Sequence, residues 1–205
     1  MRPVIWVRHG ESEANISHTF ANCGDGPGLT VRGRQQAREL AQKLRFCGAT
    51  AVWTSPLRRA RETAAPLAEV LGVEAVTDEG LREYDVGELE GRADPDAWAA
   101  YADLERRWLL SGEGSVRHLG GESADEVVAR VRDFLARCAR TPRGSHPAAA
   151  ADPLEEPVVA VCHGGLLRLA LPRVASGLDA AEWFRTRVPN CGVVLLRPDG
   201  TVRGP

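Results

Sequence analysis

The sequence predicts an α/β fold, a three-layer sandwich in which a mostly parallel central sheet is flanked by helices, with a small helical cap insertion. Two observations predict it. Short, continuous apolar runs alternate with amphipathic segments of helical period, and such runs mark strands covered on both faces in a parallel sheet. Two of the runs, Val4 to Val7 and Val158 to Cys162, end in the same step, His9-Gly10 and His163-Gly164. An open α/β sheet has its ligand crevice at the carboxyl ends of its strands.

In chain order, Val4 to Val7 reads as a buried strand ending at Arg8-His9-Gly10. Thr30 is the candidate N-cap of a helix with an apolar face of Ala37, Leu40, Ala41 and Leu44, stopped by Gly48. Ala51 to Thr54 is a short strand. Leu57 to Leu71 is a helix closed by Gly72, with a bend expected at Pro66. Val73 to Val76 completes a βαβαβ alternation. From about 92 to 120 the pattern changes to a helical stretch with Trp98, Tyr101, Leu104 and Trp108, read as the cap. Ser123 and Glu126 have capping-box spacing before a helix bearing Val127, Val128, Val131, Phe134, Leu135 and Cys138 on one face. The stretch from about 141 to 157 is rich in Pro, Ala and acid and reads as a mobile surface loop. Val158 to Cys162 is the second buried strand, Leu166 to Ala175 a helix, and Val193 to Leu196 a last strand. A single domain spanning 1–205 is expected.

Bulk properties exclude several classes. A chain of 205 residues buries a sizeable core in one domain. No apolar run is long enough to span a bilayer, and the apolar strand begins too early for a secretion signal. Five scattered cysteines without a CxxC pair suit reduced thiols in the cytoplasm better than a disulfide or zinc framework. A formal charge of −2 gives no reason to expect nucleic acid or anionic membrane as a partner. Lys43 is the single lysine among many arginines. A GC-rich genome explains that bias, so arginine abundance alone identifies no anion site.

The phrases around the two histidines carry more. Val7-Arg8-His9-Gly10-Glu11-Ser12 is followed by Asn15, Leu29-Thr30, Gly33, Gln36 and Ala37. Then come Thr54-Ser55-Pro56-Leu57 with Arg59-Ala60 and Glu62-Thr63-Ala64, and Leu81-Arg82-Glu83 with Gly87 and Glu90-Gly91. Gly121-Glu122-Ser123 with Val127 and Arg130 precedes Val161-Cys162-His163-Gly164-Gly165 with Arg168. Together these ordered blocks resemble the histidine phosphatase superfamily, the phosphoglycerate mutase-like group, from Val4 to Arg168. Several blocks in order are far more specific than one short motif.

The resemblance implies a phosphohistidine enzyme with His9 as nucleophile. A neutral imidazole can attack phosphorus and later release it to water, splitting one hard displacement into two. The phosphoryl group in flight needs fixed donors and positive charge, a need that Arg8, Arg59 and His163 meet. Guanidinium forks bind phosphate oxygens and keep their charge, so no metal or other cofactor is expected. The Gly164 amide, leading into a helix, offers a backbone donor. Glu83 holds the family's position for the acid that protonates the leaving alkoxide. Asn15 is read as a phosphate contact or, equally, as a turn or cap residue.

Each residue has a blander reading. Glu83 by itself would be a solvated loop carboxylate, and Arg59, beside Arg58 and Arg61, part of a solvated basic face. His18 and His118 read as exposed histidines near the pocket mouth, and His146 as a bystander. Trp98, Tyr101 and Trp108 read as cap core before ligand platform. Cys162 reads as a small core residue.

Three functions compete. The first is a phosphatase acting on a small phosphorylated metabolite. The second is a phosphoglycerate mutase, which returns the phosphate to the same skeleton and needs additional cations over the pocket; Arg82, Arg106, Arg107 and Arg117 are candidates. The familiar mutases have a longer cap and an Arg directly after the catalytic Glu, where this chain has Tyr84, and this favours hydrolysis. The third is a non-catalytic phosphate-binding module. Such a module usually loses its nucleophile or acid, and this chain keeps His9 and Glu83.

Overall fold

A computed structural model describes residues 2–140 and 156–204. Among them a six-stranded sheet runs in the order β3-β2-β4-β1-β5-β6. The strands are β1 (Val4–Arg8), β2 (Val52–Thr54), β3 (Ala75–Thr77), β4 (Val158–Cys162), β5 (Val193–Leu196) and β6 (Val202–Arg203). Strands β3, β2, β4 and β1 are parallel, and β5 and β6 add an antiparallel edge. The predicted mostly parallel sheet is what forms, with the antiparallel edge as an addition.

Side chains along a strand alternate between faces, and the two central strands show it. Val4, Trp6, Val158, Ala160 and Cys162 pack on one face with Phe134, Leu166 and Trp108. Ile5, Val7, Val159 and Val161 pack on the other with Leu40, Ala64 and Leu67. Helices α2 (Val31–Leu44) and α3 (Arg58–Leu71) cover the second face; α4 (Pro95–Leu110), α5 (Ala124–Arg140) and α6 (Gly164–Val174) bury their apolar residues on the first. This gives three layers. Short helices α1 (Glu13–Ser17) and α7 (Ala180–Arg185) complete the elements described below.

Caps form where side-chain chemistry predicts them. Thr30 accepts from the Gly33 amide at the start of α2, and Ser123 and Glu126 bond reciprocally before α5. Gly72 ends α3 at φ 67°, a left-handed cap that a residue with a Cβ rarely adopts. Helix α3 runs on through Pro66 to that cap.

Other boundaries differ from expectation. Strand β3 starts two residues after the predicted Val73, because the Val73 amide still bonds back to Ala68 of α3. Helix α6 starts two residues before the predicted Leu166, for a reason found in the site. Helices α1 and α7 and strand β6 are additional. The expected surface loop lies outside the described residues, apart from Glu156 and Pro157. All five cysteines are free, and Cys162 is buried in the core as predicted. No helix among the described residues is long and apolar enough to cross a membrane.

Candidate active site

Strands β1 and β4 are neighbours, with Arg8 opposite Cys162. The residues that follow them are therefore brought together at one sheet end, and the His9 and His163 rings stand 5.1 Å apart. The His9 amide donates to the Cys162 carbonyl at 2.9 Å, fixing the backbone there. Tight packing holds the turn. A Cβ on Gly10 would come within 2.7 Å of the Gly33 carbonyl oxygen, so only glycine lets the loop sit against the start of α2.

His9 is 3% exposed. Its Nδ1 lies 2.7 Å from the Gly10 carbonyl oxygen, which can only accept, so Nδ1 carries the proton and Nε2 the lone pair. Arg59 Nε donates to that Nε2 at 3.2 Å. Burial first, then the guanidiniums of Arg59 and Arg8, hold the His9 pKa well below the ordinary imidazole value. The ring is neutral and its basic nitrogen is known.

Arg59 leaves the solvated face of α3, where Arg58 and Arg61 pair with Glu62 and Asp25. It is 4% exposed and is gripped by the Ala21 carbonyl and the Asn22 side chain. Arg8 donates through Nη1 to the Val188 carbonyl at 2.7 Å, while its buried Nε has no partner among the described residues.

His163 is fully buried behind His9 and is not itself part of the cavity surface. Its Nε2 lies 2.7 Å from the Ser55 hydroxyl, which in turn accepts from the Leu57 amide. The Ser55 hydroxyl can donate to Nε2 or accept from it according to the tautomer, and Nδ1 has no partner among the described residues.

Glu83 is 8% exposed and is held by the start of α6: the Gly165 amide donates to Oε2 at 2.9 Å and the Leu166 amide to Oε1 at 2.7 Å. This carboxylate cap lets the helix begin on two glycines, which is why α6 starts early. Burial raises the Glu83 pKa, outweighing the amide bonds and the nearby Arg59 charge.

These groups open onto a cavity of about 370 Å³. Arg8, His9, Asn15, Arg59, Glu83 and Gly164 line its floor. Asn15 proves to be a cap residue as well: its Oδ1 accepts from the Ser12 amide and from Asn190. The outer wall differs from expectation in two ways. Trp108 is core, yet Trp98 and Tyr101 line the cavity with Phe20, and His18 stands at its edge. Arg82, Arg106, Arg107 and Arg117 do not reach it, because each is drawn to a nearby acid: Glu79, Asp103, Glu113 and Glu126. The cations that do line it besides Arg8 and Arg59 are Arg168, which was quoted only for the resemblance, and Arg187, which was not singled out. Asn22 and Glu105, also on the cavity, carried no motif.

The chain belongs to the histidine phosphatase superfamily (branch 1), whose sequence profile matches residues 4–203. Among individual relatives it is 35% identical over 193 residues to a protein of Enterobacter sp. (strain 638) named "Probable phosphoglycerate mutase GpmB", covering 94% of this chain and 83% of that one. It is similar in structure to a mycobacterial glucosyl-3-phosphoglycerate phosphatase in complex with VO3, with TM-score 0.80 and 27% identity, over 100% of this chain and 98% of the other. A phosphoserine phosphatase from Entamoeba histolytica in complex with 3-phosphoglyceric acid aligns with TM-score 0.69 and 25% identity, over 95% and 90%.

Proposed function

We propose that the protein is a phosphatase that hydrolyses the phosphate monoester of a small metabolite, without a metal, through a phosphohistidine on His9. One observation carries the reading. His9 is a buried neutral imidazole whose Nδ1 proton is committed to Gly10, leaving the Nε2 lone pair beside the guanidinium of Arg59 at the cavity floor. Nucleophilic catalysis at phosphorus requires that state.

In the first half-reaction Nε2 attacks phosphorus, the N–P bond forms as the ester P–O bond breaks, and the Glu83 carboxyl protonates the departing oxygen. Burial raises the Glu83 pKa, the direction a proton donor needs. In the second, water attacks the phosphohistidine while the Glu83 carboxylate takes its proton. The N–P electrons return to Nε2 and inorganic phosphate leaves. Arg8, Arg59, Asn15 and Gly164 line the floor and bind the phosphoryl oxygens, while His163 lies buried beside the His9 ring, 5.1 Å away. Guanidinium charge that never titrates takes the place of a metal ion. Free thiols at all five cysteines fit a protein acting on soluble metabolites in the cytoplasm.

A panel of metabolite phosphates, assayed for free phosphate in excess EDTA, tests this. Turnover should persist. Loss of activity restored by magnesium would overturn metal independence.

Phosphoglycerate mutase activity is the second reading, favoured by the name of the Enterobacter relative. Against it, the four arginines expected to hold a second anionic group are paired elsewhere, and of the two further cations on the cavity wall, Arg168 and Arg187, the first is bonded to Glu105. With 3-phosphoglycerate and a trace of the bisphosphate, free phosphate supports the phosphatase; isomer without free phosphate supports the mutase.

A further inference from the structure

Glu105, on α4, lines the cavity but has no part in the reaction just described. It is 4% exposed, and a buried carboxylate is costly unless its oxygens are bonded. Oε1 accepts from the hydroxyls of Tyr84 at 3.0 Å and Tyr101 at 3.1 Å, and Oε2 accepts from Arg168 Nη1 at 2.7 Å.

Two of these partners lead directly to Glu83. Tyr84 is the next residue, and its amide donates to Glu83 Oε1 at 3.2 Å. Its ring lies against Gly165, where a Cβ would come within 2.7 Å of it and within 2.9 Å of the Glu83 carboxylate. Arg168 belongs to α6, whose first amides hold both Glu83 oxygens. From α4, Glu105 thus ties together the residue that follows Glu83 and the helix end that grips it.

We propose that Glu105 is a positioning residue for proton transfer at Glu83, holding Tyr84 and α6 in the register that aims the Glu83 carboxyl at the ester oxygen. The proposal rests on the reading of Glu83 as the acid. Stability alone does not account for the charge, because a well-packed apolar side chain of similar volume usually replaces a buried ion pair at no loss. Tyr84 also stacks on Tyr101, at 5.8 Å and 8° between planes, so α4 has a ring contact here besides the carboxylate. What a carboxylate adds is direction: three donors, from the loop after Glu83, from α4 itself and from α6, are drawn to one group.

The test separates proton donation from general damage. A nitrophenolate departs unaided, whereas an alkoxide needs a proton, so a fault in the acid appears as a loss that grows with the pKa of the leaving alcohol. We would measure kcat/KM for a series from p-nitrophenyl phosphate to a simple alkyl phosphate in wild type, Glu105→Gln, Tyr84→Phe and Glu83→Gln. The expected loss for Glu105→Gln and Tyr84→Phe is roughly 10- to 100-fold on the alkyl ester and within about threefold on the aryl ester. Tyr84→Phe removes one hydroxyl and leaves the ring packing, so it reads the same link if Glu105→Gln does not fold. Equal loss on both esters, no loss on either, or failure of both variants to fold overturns the proposal. Glu83→Gln tests the premise. Without a leaving-group-dependent loss there, the acid assignment itself falls; with that loss there but not in the other two variants, only the positioning role falls.

Discussion

The floor and the α4 wall of the cavity are built by different means. The floor hangs from the ends of two hydrogen-bonded strands, and main-chain groups set its key atoms: the Gly10 carbonyl orients His9, the Cys162 carbonyl anchors it, the Val188 and Ala21 carbonyls hold Arg8 and Arg59, and the Gly165 and Leu166 amides hold Glu83. The wall is held by side chains reaching across the molecule, with Arg168 and Tyr84 meeting at Glu105. A floor of this kind tolerates change elsewhere in the chain and keeps one chemistry. A wall of the other kind can be altered residue by residue, so selectivity among phosphate esters is expected to lie there.

That contrast is open to attack at both ends. The largest effect belongs to the floor: His9→Ala should lower kcat/KM by about 10⁴-fold or more on every phosphate ester, since no second nucleophile replaces it. A loss on some esters only would place the chemistry in the wall. Next, Arg59→Lys should cost about 10²-fold in kcat across the panel, because one ammonium cannot hold Ala21, Asn22 and a phosphoryl oxygen together. A variant close to wild type would show that the buried fork is dispensable.

A third prediction concerns pH and stability. The folded state holds His9 neutral well below the ordinary imidazole value of 6.5, while the unfolded chain protonates near it. The unfolded state therefore takes up the proton first, and the His9 contribution to stability falls as pH drops below about 6.5. Raised carboxyl values at Glu83 and Glu105 act in the opposite sense, so the His9 part is isolated by difference. Unfolding free energy of wild type minus that of His9→Gln should fall by up to about 1.4 kcal/mol per pH unit below 6.5. A difference independent of pH would mean an unperturbed ring. The smallest effect belongs to the wall: Trp98→Ala should change kcat/KM by about threefold to tenfold, and unequally across the panel. A uniform change would remove the distinction between the two regions.

The same contrast explains what was legible. The strands β1 and β4 announce themselves as apolar runs, and ordered short phrases carried His9, Arg59, Glu83 and His163. Helices α1 and α7 and strand β6 are too short to show a period. The early start of α6 depends on Glu83, eighty residues away, which no local rule sees. The misplaced cations were partly avoidable: Glu79 and Asp103 stand three residues before Arg82 and Arg106, a spacing that pairs them on the spot. Arg168 and Arg187 reach the cavity by tertiary placement alone.

The most direct measurement is to quench a turning-over mixture with radiolabelled phosphate ester and map the label. The account predicts one phosphoryl group, acid-labile and base-stable, on the peptide containing His9, and none in His9→Ala. Full hydrolysis with no adduct on that histidine, or with the label elsewhere, would contradict it.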